Sequence, residues 1–176
     1  MHPTTFDQVI ERARSGNEFA WSVLYDRYAA RLRGYAAAQG SADPDSIVGD
    51  VFADVAHKLI RFTGDEASLR SWLFMIAHSR IIDERRRARP QPPVLPAAYG
   101  NAEREAIDEL ITDEIIEILA KLSPEQRDVL LLRIVADLSV AETARILCKK
   151  QSAVKAAQRR GLMRLRDRTE ILGVTP

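Results

Sequence analysis

The sequence lacks most of the features that mark an enzyme, a secreted protein or a membrane protein. Its single cysteine, Cys148, can form no disulfide within the chain, so we expect a protein of the reducing cytoplasm. No run approaches the roughly 20 apolar residues of a membrane-spanning helix, and the first residues do not read as a signal peptide, so we expect no membrane insertion. The zinc-protease, P-loop and nucleophile-elbow motifs are absent and the three histidines are dispersed, which predicts no enzyme and no cofactor.

Glycine and proline are scarce, at eight residues each, and half of the prolines lie in one short segment. Residues Pro90–Pro96 read Pro-Gln-Pro-Pro-Val-Leu-Pro, which cannot be helical and predicts an extended linker. Ten of the eleven aromatic residues precede this segment, so its two sides have differently built cores. We therefore predict two small domains, 1–89 and 102–176, joined by a proline-rich linker over 90–101.

The net charge of only +1 hides a segregation of charge along the chain. Acids dominate 43–66, with six against two bases, and 103–125, with eight against two. Bases dominate 80–89, with five against two acids, and 149–168, with eight against one. Any one such segment is most often a solvated helix face, but together they predict two surfaces that face a polyanion and a basic protein partner.

Apolar residues recur at helical spacing along the chain and no convincing alternating strand occurs, so the predicted fold class is all-α. In the first half, one apolar stripe runs from Phe19 to Leu32 and the next from Ile47 to Val55. Five side chains of the types that cap helix N-termini precede these and other helical segments: Thr5, Asn17, Asp43, Ser123 and Ser139.

The last third of the chain predicts a helix-turn-helix. A short helix follows Ser139, a tight turn is expected at 148–150, and a longer basic helix over about 152–168 completes the motif. Cys148 is interpreted as a small buried residue rather than a redox switch, and Ser152 as the cap of the longer helix. The buried side of that helix is predicted to comprise Val154, Leu162 and Leu165.

Six short segments carry a resemblance to a known family. They are Leu24–Tyr28, Val48–Val55, Ser71–Ala77, Asp83–Arg87, Leu122–Arg127 and Ala153–Lys155. In this order, across a proline-rich linker, the chain resembles the extracytoplasmic-function (ECF) sigma factors of the bacterial sigma-70 family. The resemblance covers about 19–89 and 122–168.

The resemblance implies a subunit that directs core RNA polymerase to promoters, with an anti-sigma factor as a further partner. Its first domain would bind the polymerase and open the minus-ten element as single-stranded DNA. Its second domain would read the minus-thirty-five element in duplex DNA, and the linker would thread toward the active site and the RNA-exit channel. The alternative is a stand-alone helix-turn-helix transcriptional regulator, which would need a dimer interface and no acidic docking helix.

The acidic helix predicted from Asp43 onward carries the candidate protein-binding residues. Asp50, Asp54 and His57 lie on adjacent turns, a spacing that superficially suits a metal, but no fourth ligand accompanies them and we predict no metal site. The resemblance assigns Asp50 and Asp54 to polymerase binding, because the family's corresponding helix docks on a basic coiled coil. Gly49 stands where the family commonly has Gln. Because glycine inside a helix destabilises that helix by about 1 kcal/mol relative to alanine, its presence suggests that a partner approaches the helix closely at this position.

Candidate DNA-binding residues lie in both basic segments. A surface that opens a duplex needs aromatic side chains beside cations, although Trp72 also fits a core position, and Ser79 stands where the family more often has Asn. These residues in the first domain are Trp72, Ser79, Arg80, Arg85, Arg86 and Arg87. In the second domain, Lys and Arg can pair with guanine and Ala can contact a thymine methyl group. The resemblance places Ser152, Lys155, Ala156, Arg159 and Arg160 at the DNA-binding helix.

Overall fold

The computed structural model describes residues 5–87 and 118–171, with the side chains described as far as residue 166. These residues form helices joined by short turns and contain no strand, which confirms the all-α prediction. The chain divides into two compact units, Met1–Ala98 and Tyr99–Pro176. The predicted linker over 90–101 lies outside the described residues, as do the first residues of the second predicted domain, 102–117.

The first unit is built from four α-helices and one 3₁₀ turn in its described part. They are α1 (Phe6–Arg14), α2 (Glu18–Ala38), α3 (Pro44–Lys58), the 3₁₀ turn Leu59–Arg61 and α4 (Glu66–Arg87). The predicted N-caps are confirmed: Thr5 forms a capping box with Gln8, and the side chains of Asn17 and Asp43 accept hydrogen bonds from first-turn amides.

The core of the first unit lies among α2, α3 and α4, which pack on one another. Tyr28, Tyr35 and Phe74 are fully buried, and the rings of Tyr35 and Phe74 meet edge to face at 5.4 Å. Phe19, predicted on the buried stripe of α2, is 67% exposed instead. The stripe runs through Ala20 and Leu24, and Phe19 lies one residue, or about 100° around the helix, away from it.

The second unit contains α5 (Pro124–Ile134), α6 (Val140–Ile146) and α7 (Gln151–Ile171), and residues 118–120 are also helical. The capping boxes predicted at Ser123 and Ser139 are both present. The pair α6 and α7, joined by a tight turn, is the predicted helix-turn-helix. Leu130, Leu131, Leu132 and Leu138 are fully buried in this unit.

Helix α7 crosses α5 closely at Gly161, which corrects the predicted buried side. A Cβ on Gly161 would lie only 2.8 Å from Cδ1 of Leu130, so the helices meet where α7 has no side chain. Among residues 151–166 of α7, the buried ones are Val154, Ala157 and Gly161, whereas Leu162 is 43% exposed and Leu165 is half-buried.

Two further expectations about the helix-turn-helix are wrong. Helix α7 begins at Gln151, and the amide of Val154 donates to the carbonyl of Lys150, so Ser152 lies inside the first turn and is not the cap. Cys148 is exposed rather than buried and has a φ of +51°, a conformation that residues other than glycine adopt at a cost. The turn therefore places Cys148 where glycine would be less strained.

Candidate nucleic-acid and protein interfaces

The exposed face of α7 combines basic and apolar side chains. Lys155 and Arg159 are exposed one turn apart, Ala156 is half-buried beside them, and Arg160 is exposed. An open groove of about 420 Å³ runs along this face. Its lining residues are Lys155, Gln158, Arg159, Leu162, Met163 and Arg166. The structure thus brings Lys155 and Arg159 together with one further cation, Arg166, and with the apolar side chains of Leu162 and Met163.

The face of α7 is held in place by contacts that the sequence pattern did not reveal. Nε of Arg133 on α5 donates to Oε1 of Gln158 at 3.2 Å, and its guanidinium also donates to the carbonyl of Leu138. Arg133 therefore ties α5 both to the groove and to the start of the helix-turn-helix. Lys149, one of the eight bases of its segment, forms an ion pair with Glu125 at 2.9 Å. Its charge is thus partly neutralised within the unit.

In the first unit, Arg85 of the basic segment and its neighbour Glu84 bind the end of α2 and the residues that follow it. Arg85 donates from Nη2 to the backbone carbonyl of Gln39 at 2.5 Å and to its Oε1 at 2.6 Å, at the C-terminal end of α2. Beside it, Glu84 accepts hydrogen bonds from Ser41 Oγ at 2.7 Å and from the amide of Ala42 at 2.8 Å. These two residues fix the connection between α2 and α3 against α4.

The other arginines of the basic segment on α4, namely Arg80, Arg86 and Arg87, differ in their surroundings. Arg80 forms an ion pair with Asp54 on α3, with Nη2 and Oδ2 2.5 Å apart. Arg86 lies 3.6 Å from Asp83 one turn earlier and remains exposed, as do Arg87 and Ser79. The hydrogen bond from Arg80 lowers the pKa of Asp54, and the same bond raises the pKa of Arg80.

Trp72 is half-buried and stacks on Phe62, with ring centroids 5.5 Å apart and planes 4° from parallel. The carbonyl of Phe62 accepts a hydrogen bond from Arg14 on α1, and the following loop passes so close that a Cβ on Gly64 would lie 3.2 Å from the Phe62 ring. Trp72 is thus neither a fully buried core residue nor a free surface residue. The aromatic pair is held at the start of the helix that also carries the arginines.

Along α3, the candidate protein-binding residues Asp50 and Asp54 have different surroundings. Asp50 is exposed, whereas Asp54 is half-buried and faces Arg80 and, at 3.7 Å, Nζ of Lys58. Gly49 is also exposed, and a Cβ there would meet nothing within 4 Å in the isolated chain. The packing within this unit therefore does not require a glycine at position 49.

Helix α3 also contacts α2 through a pair of aromatic rings. The ring of Phe52 lies 5.1 Å from that of Tyr25 on α2, and Tyr25 is 45% exposed.

His57 is exposed, and among residues 5–87 and 118–171 no three His, Cys, Asp or Glu side chains form a group that could hold a metal ion. No helix in these ranges has the length and apolar character needed to cross a membrane.

Comparison with known families finds two matches in chain order. Residues 24–91 match the family described as sigma-70 region 2, and residues 112–165 match sigma-70 region 4. Region 2 thus falls on the first unit and region 4 on the second, where it includes α6 and α7 as far as residue 165.

Among characterised relatives, the chain is similar to the ECF RNA polymerase sigma factor BldN of Streptomyces coelicolor, with 26% identity over 167 residues. The match covers 90% of this chain but only 63% of BldN, so this chain spans less than two-thirds of that relative. The ECF sigma factor SigD of Mycobacterium tuberculosis is 28% identical, with 95% of this chain and 85% of SigD covered.

Two solved structures have a similar fold. CnrH in complex with the cytosolic domain of CnrY gives a TM-score of 0.67 at 24% identity, covering 93% of this chain and 96% of CnrH. RpoE from Bartonella quintana, in complex with the anti-sigma factor NepR, gives 0.60 at 21% identity, covering 90% of this chain and 99% of RpoE.

Proposed function

The chain belongs to the ECF group of the sigma-70 family, and from this premise we propose that it binds core RNA polymerase and directs promoter-specific initiation of transcription. In this role it supplies recognition and no catalytic group of its own. It acts in the cytoplasm, where the polymerase and the promoter are found.

The proposed division of labour follows the two family regions. Residues 1–89 dock on the polymerase and open the minus-ten element, residues 102–176 read the minus-thirty-five element, and 90–101 link them. The observation that carries the proposal is the presence in one chain of both regions, one with an exposed carboxylate on α3 and the other with an exposed basic helix in a helix-turn-helix. A stand-alone regulator would have no use for region 2, so that alternative is not favoured.

In region 4, the proposed DNA contacts divide by their position on α7. Lys155 and Arg159 lie in the first turns, where a recognition helix reaches base edges, and Ala156 between them offers a methyl contact. Ser152 and Arg160 are exposed on the same helix and suit phosphate contacts.

In region 2, the proposed single-strand surface lies on α4. The stacked pair of Trp72 and Phe62 offers an aromatic platform for an unpaired base, and exposed Ser79 lies two turns further along. The arginines supply positive charge for the phosphates, with Arg86 and Arg87 more exposed than Arg80. The proposed set remains Trp72, Ser79, Arg80, Arg85, Arg86 and Arg87.

An anti-sigma factor is the proposed regulator. RpoE, which has a similar fold, was solved in complex with the anti-sigma factor NepR. We propose that a protein of this kind binds the present chain and competes with the polymerase. Because its identity depends on the cell, it is best found by capture with the tagged chain in the absence of core polymerase.

The direct test of function is run-off transcription. Core polymerase, the purified chain and a library of genomic fragments should yield transcripts that share minus-thirty-five and minus-ten sequences, and core polymerase alone should not. Binding of the chain to specific duplexes with no effect on the polymerase would instead support the stand-alone regulator.

Replacing Gly49 by alanine tests the proposed close approach of the polymerase to α3. The free protein should become more stable by about 0.5–1 kcal/mol, because Gly49 is an exposed helix-interior position with open space around it. If a polymerase helix passes close to Gly49, the same change should weaken core binding severalfold. Thermal unfolding and a core-binding titration measure the two effects. Higher stability with unchanged core affinity would show that nothing approaches Gly49 closely.

A further inference from the structure

The ion pair between Asp54 and Arg80 joins the two proposed interfaces of region 2. Asp54 belongs to α3, which is proposed to dock on the polymerase, and Arg80 belongs to α4, which is proposed to hold DNA. Their charged atoms lie 2.5 Å apart, and the side chains are 25% and 36% exposed. Each charged group therefore binds the other, and both remain accessible to a further binding partner.

The other charged groups around the ion pair differ between its two members. Lys58 is the second cation near Asp54, at 3.7 Å, whereas Arg80 also lies in the field of the carboxylates of Asp50 and Asp83. A phosphate that approaches Arg80 in the free protein consequently meets the carboxylate of Asp54, which is hydrogen-bonded to Arg80, and two further carboxylates nearby. Since like charges repel, this arrangement disfavours DNA at Arg80.

The pair can be separated at little cost. Ion pairs that are partly exposed contribute little net stability, because the solvent screens them and replaces the lost interaction. A basic side chain supplied by a protein partner could therefore replace Arg80 at Asp54 without unfolding the interface between α3 and α4.

We propose that Asp54 and Arg80 exchange partners when region 2 docks: a basic side chain of the polymerase takes the carboxylate of Asp54, and the guanidinium of Arg80 is released to a DNA phosphate. This inference rests on the proposed function, which assigns α3 to the polymerase and α4 to DNA. Because coupling between two binding events is reciprocal, DNA on Arg80 also strengthens polymerase binding at Asp54 by the same factor. The exchange couples promoter binding to holoenzyme formation through one ion pair.

The first test uses the full chain without polymerase. Asp54→Asn keeps the shape of the side chain and removes its charge, and Asp45→Asn is the matched control. Asp45 lies on the same helix but pairs with Arg33 on α2, at 2.6 Å. The probe is a fluorescein-labelled single-stranded oligothymidine, with affinity measured by fluorescence anisotropy at low salt. We expect Asp54→Asn to bind about threefold more tightly than Asp45→Asn, because only the former frees Arg80.

A double-mutant cycle separates a direct effect from general electrostatics. In an Arg80→Gln background, Asp54→Asn should change the affinity no more than Asp45→Asn does. Equal gains for both carboxylate variants in the wild-type background, or a loss of affinity with Asp54→Asn, would overturn the exchange. Helical circular dichroism verifies folding for each variant.

The second test reads the other half of the exchange on core polymerase. Arg80→Gln leaves Asp54 without its partner on α4 and should raise core affinity about threefold over Arg86→Gln, which removes the same charge from the same helix. Equal affinities for these two variants would also count against the exchange. If the wild-type chain itself fails to bind core polymerase, the proposed function fails, whereas normal core binding with equal variant effects refutes only the exchange.

Discussion

Replacing Asp50 by arginine is expected to weaken binding of core RNA polymerase about tenfold or more. Asp50 is exposed on α3 and faces the side proposed to meet a basic element of the polymerase, so reversal places two like charges together. The fold should be unaffected, because exposed substitutions away from packing contacts usually change stability by less than about 0.5 kcal/mol. Asp54 is kept, since its pairing with Arg80 would make a reversal there difficult to interpret.

A titration of labelled core polymerase measures this effect, and Asp45→Asn serves as the control, because a full reversal at Asp45 would place a second arginine against Arg33. Asp45 precedes Asp50 by five residues and so lies about 140° away around the helix. The control should bind nearly as well as the wild-type chain. Retention of wild-type core affinity by Asp50→Arg would show that α3 docks through another face, or not at all.

Replacing Lys155 or Arg159 by alanine is expected to cost about 1–3 kcal/mol of binding to the preferred promoter, or roughly 5- to 150-fold. Both side chains are exposed in the first turns of α7, where a recognition helix enters the major groove. Loss of a base contact removes discrimination together with affinity. The variants should therefore bind intact and scrambled minus-thirty-five elements with more similar affinities than the wild-type chain.

Arg166→Ala is the matched comparison for these variants. Arg166 lines the same groove as Lys155 but lies eleven residues further along, about 16 Å down the helix, where phosphate contact is favoured over base contact. Its loss should weaken binding to all DNA sequences alike. It should also reduce the slope of the logarithm of affinity against the logarithm of salt concentration by about one. Holoenzyme binding to intact and scrambled duplexes at several salt concentrations measures both quantities. Equal losses on both duplexes for Lys155→Ala and Arg159→Ala would mean that these residues hold only phosphate.

The sequence by itself determined the helical fold class and where five of the described helices begin, although not the start of α7, where Ser152 is not the cap. Thr5, Asn17, Asp43, Ser123 and Ser139 all cap as predicted, since a cap is a hydrogen bond between residues three apart and needs no information from the rest of the chain. The order of the sequence motifs likewise sufficed for the family, because those motifs are local. The roles assigned to individual site residues remain predictions for the experiments above.

Which side of a helix is buried was decided by packing. Phe19 and Leu162 fit an apolar stripe by spacing, yet both are exposed, because the stripe that is used depends on where the neighbouring helix crosses. On α7 that crossing is at Gly161, where the absence of a side chain admits Leu130. Residue spacing alone contains no information about this approach.

The partners of the charged side chains were decided only by the tertiary structure. Arg80 and Asp54 are 26 residues apart, and Arg85 and Gln39 are 46 apart, so no local pattern links them. From the sequence alone, each basic segment was predicted to form one surface that faces a polyanion. Folding divides the first segment into Arg80 and Arg85, which bind α3 and α2, and Arg86, which pairs with Asp83 on its own helix. A guanidinium binds whichever acceptor the fold brings within reach.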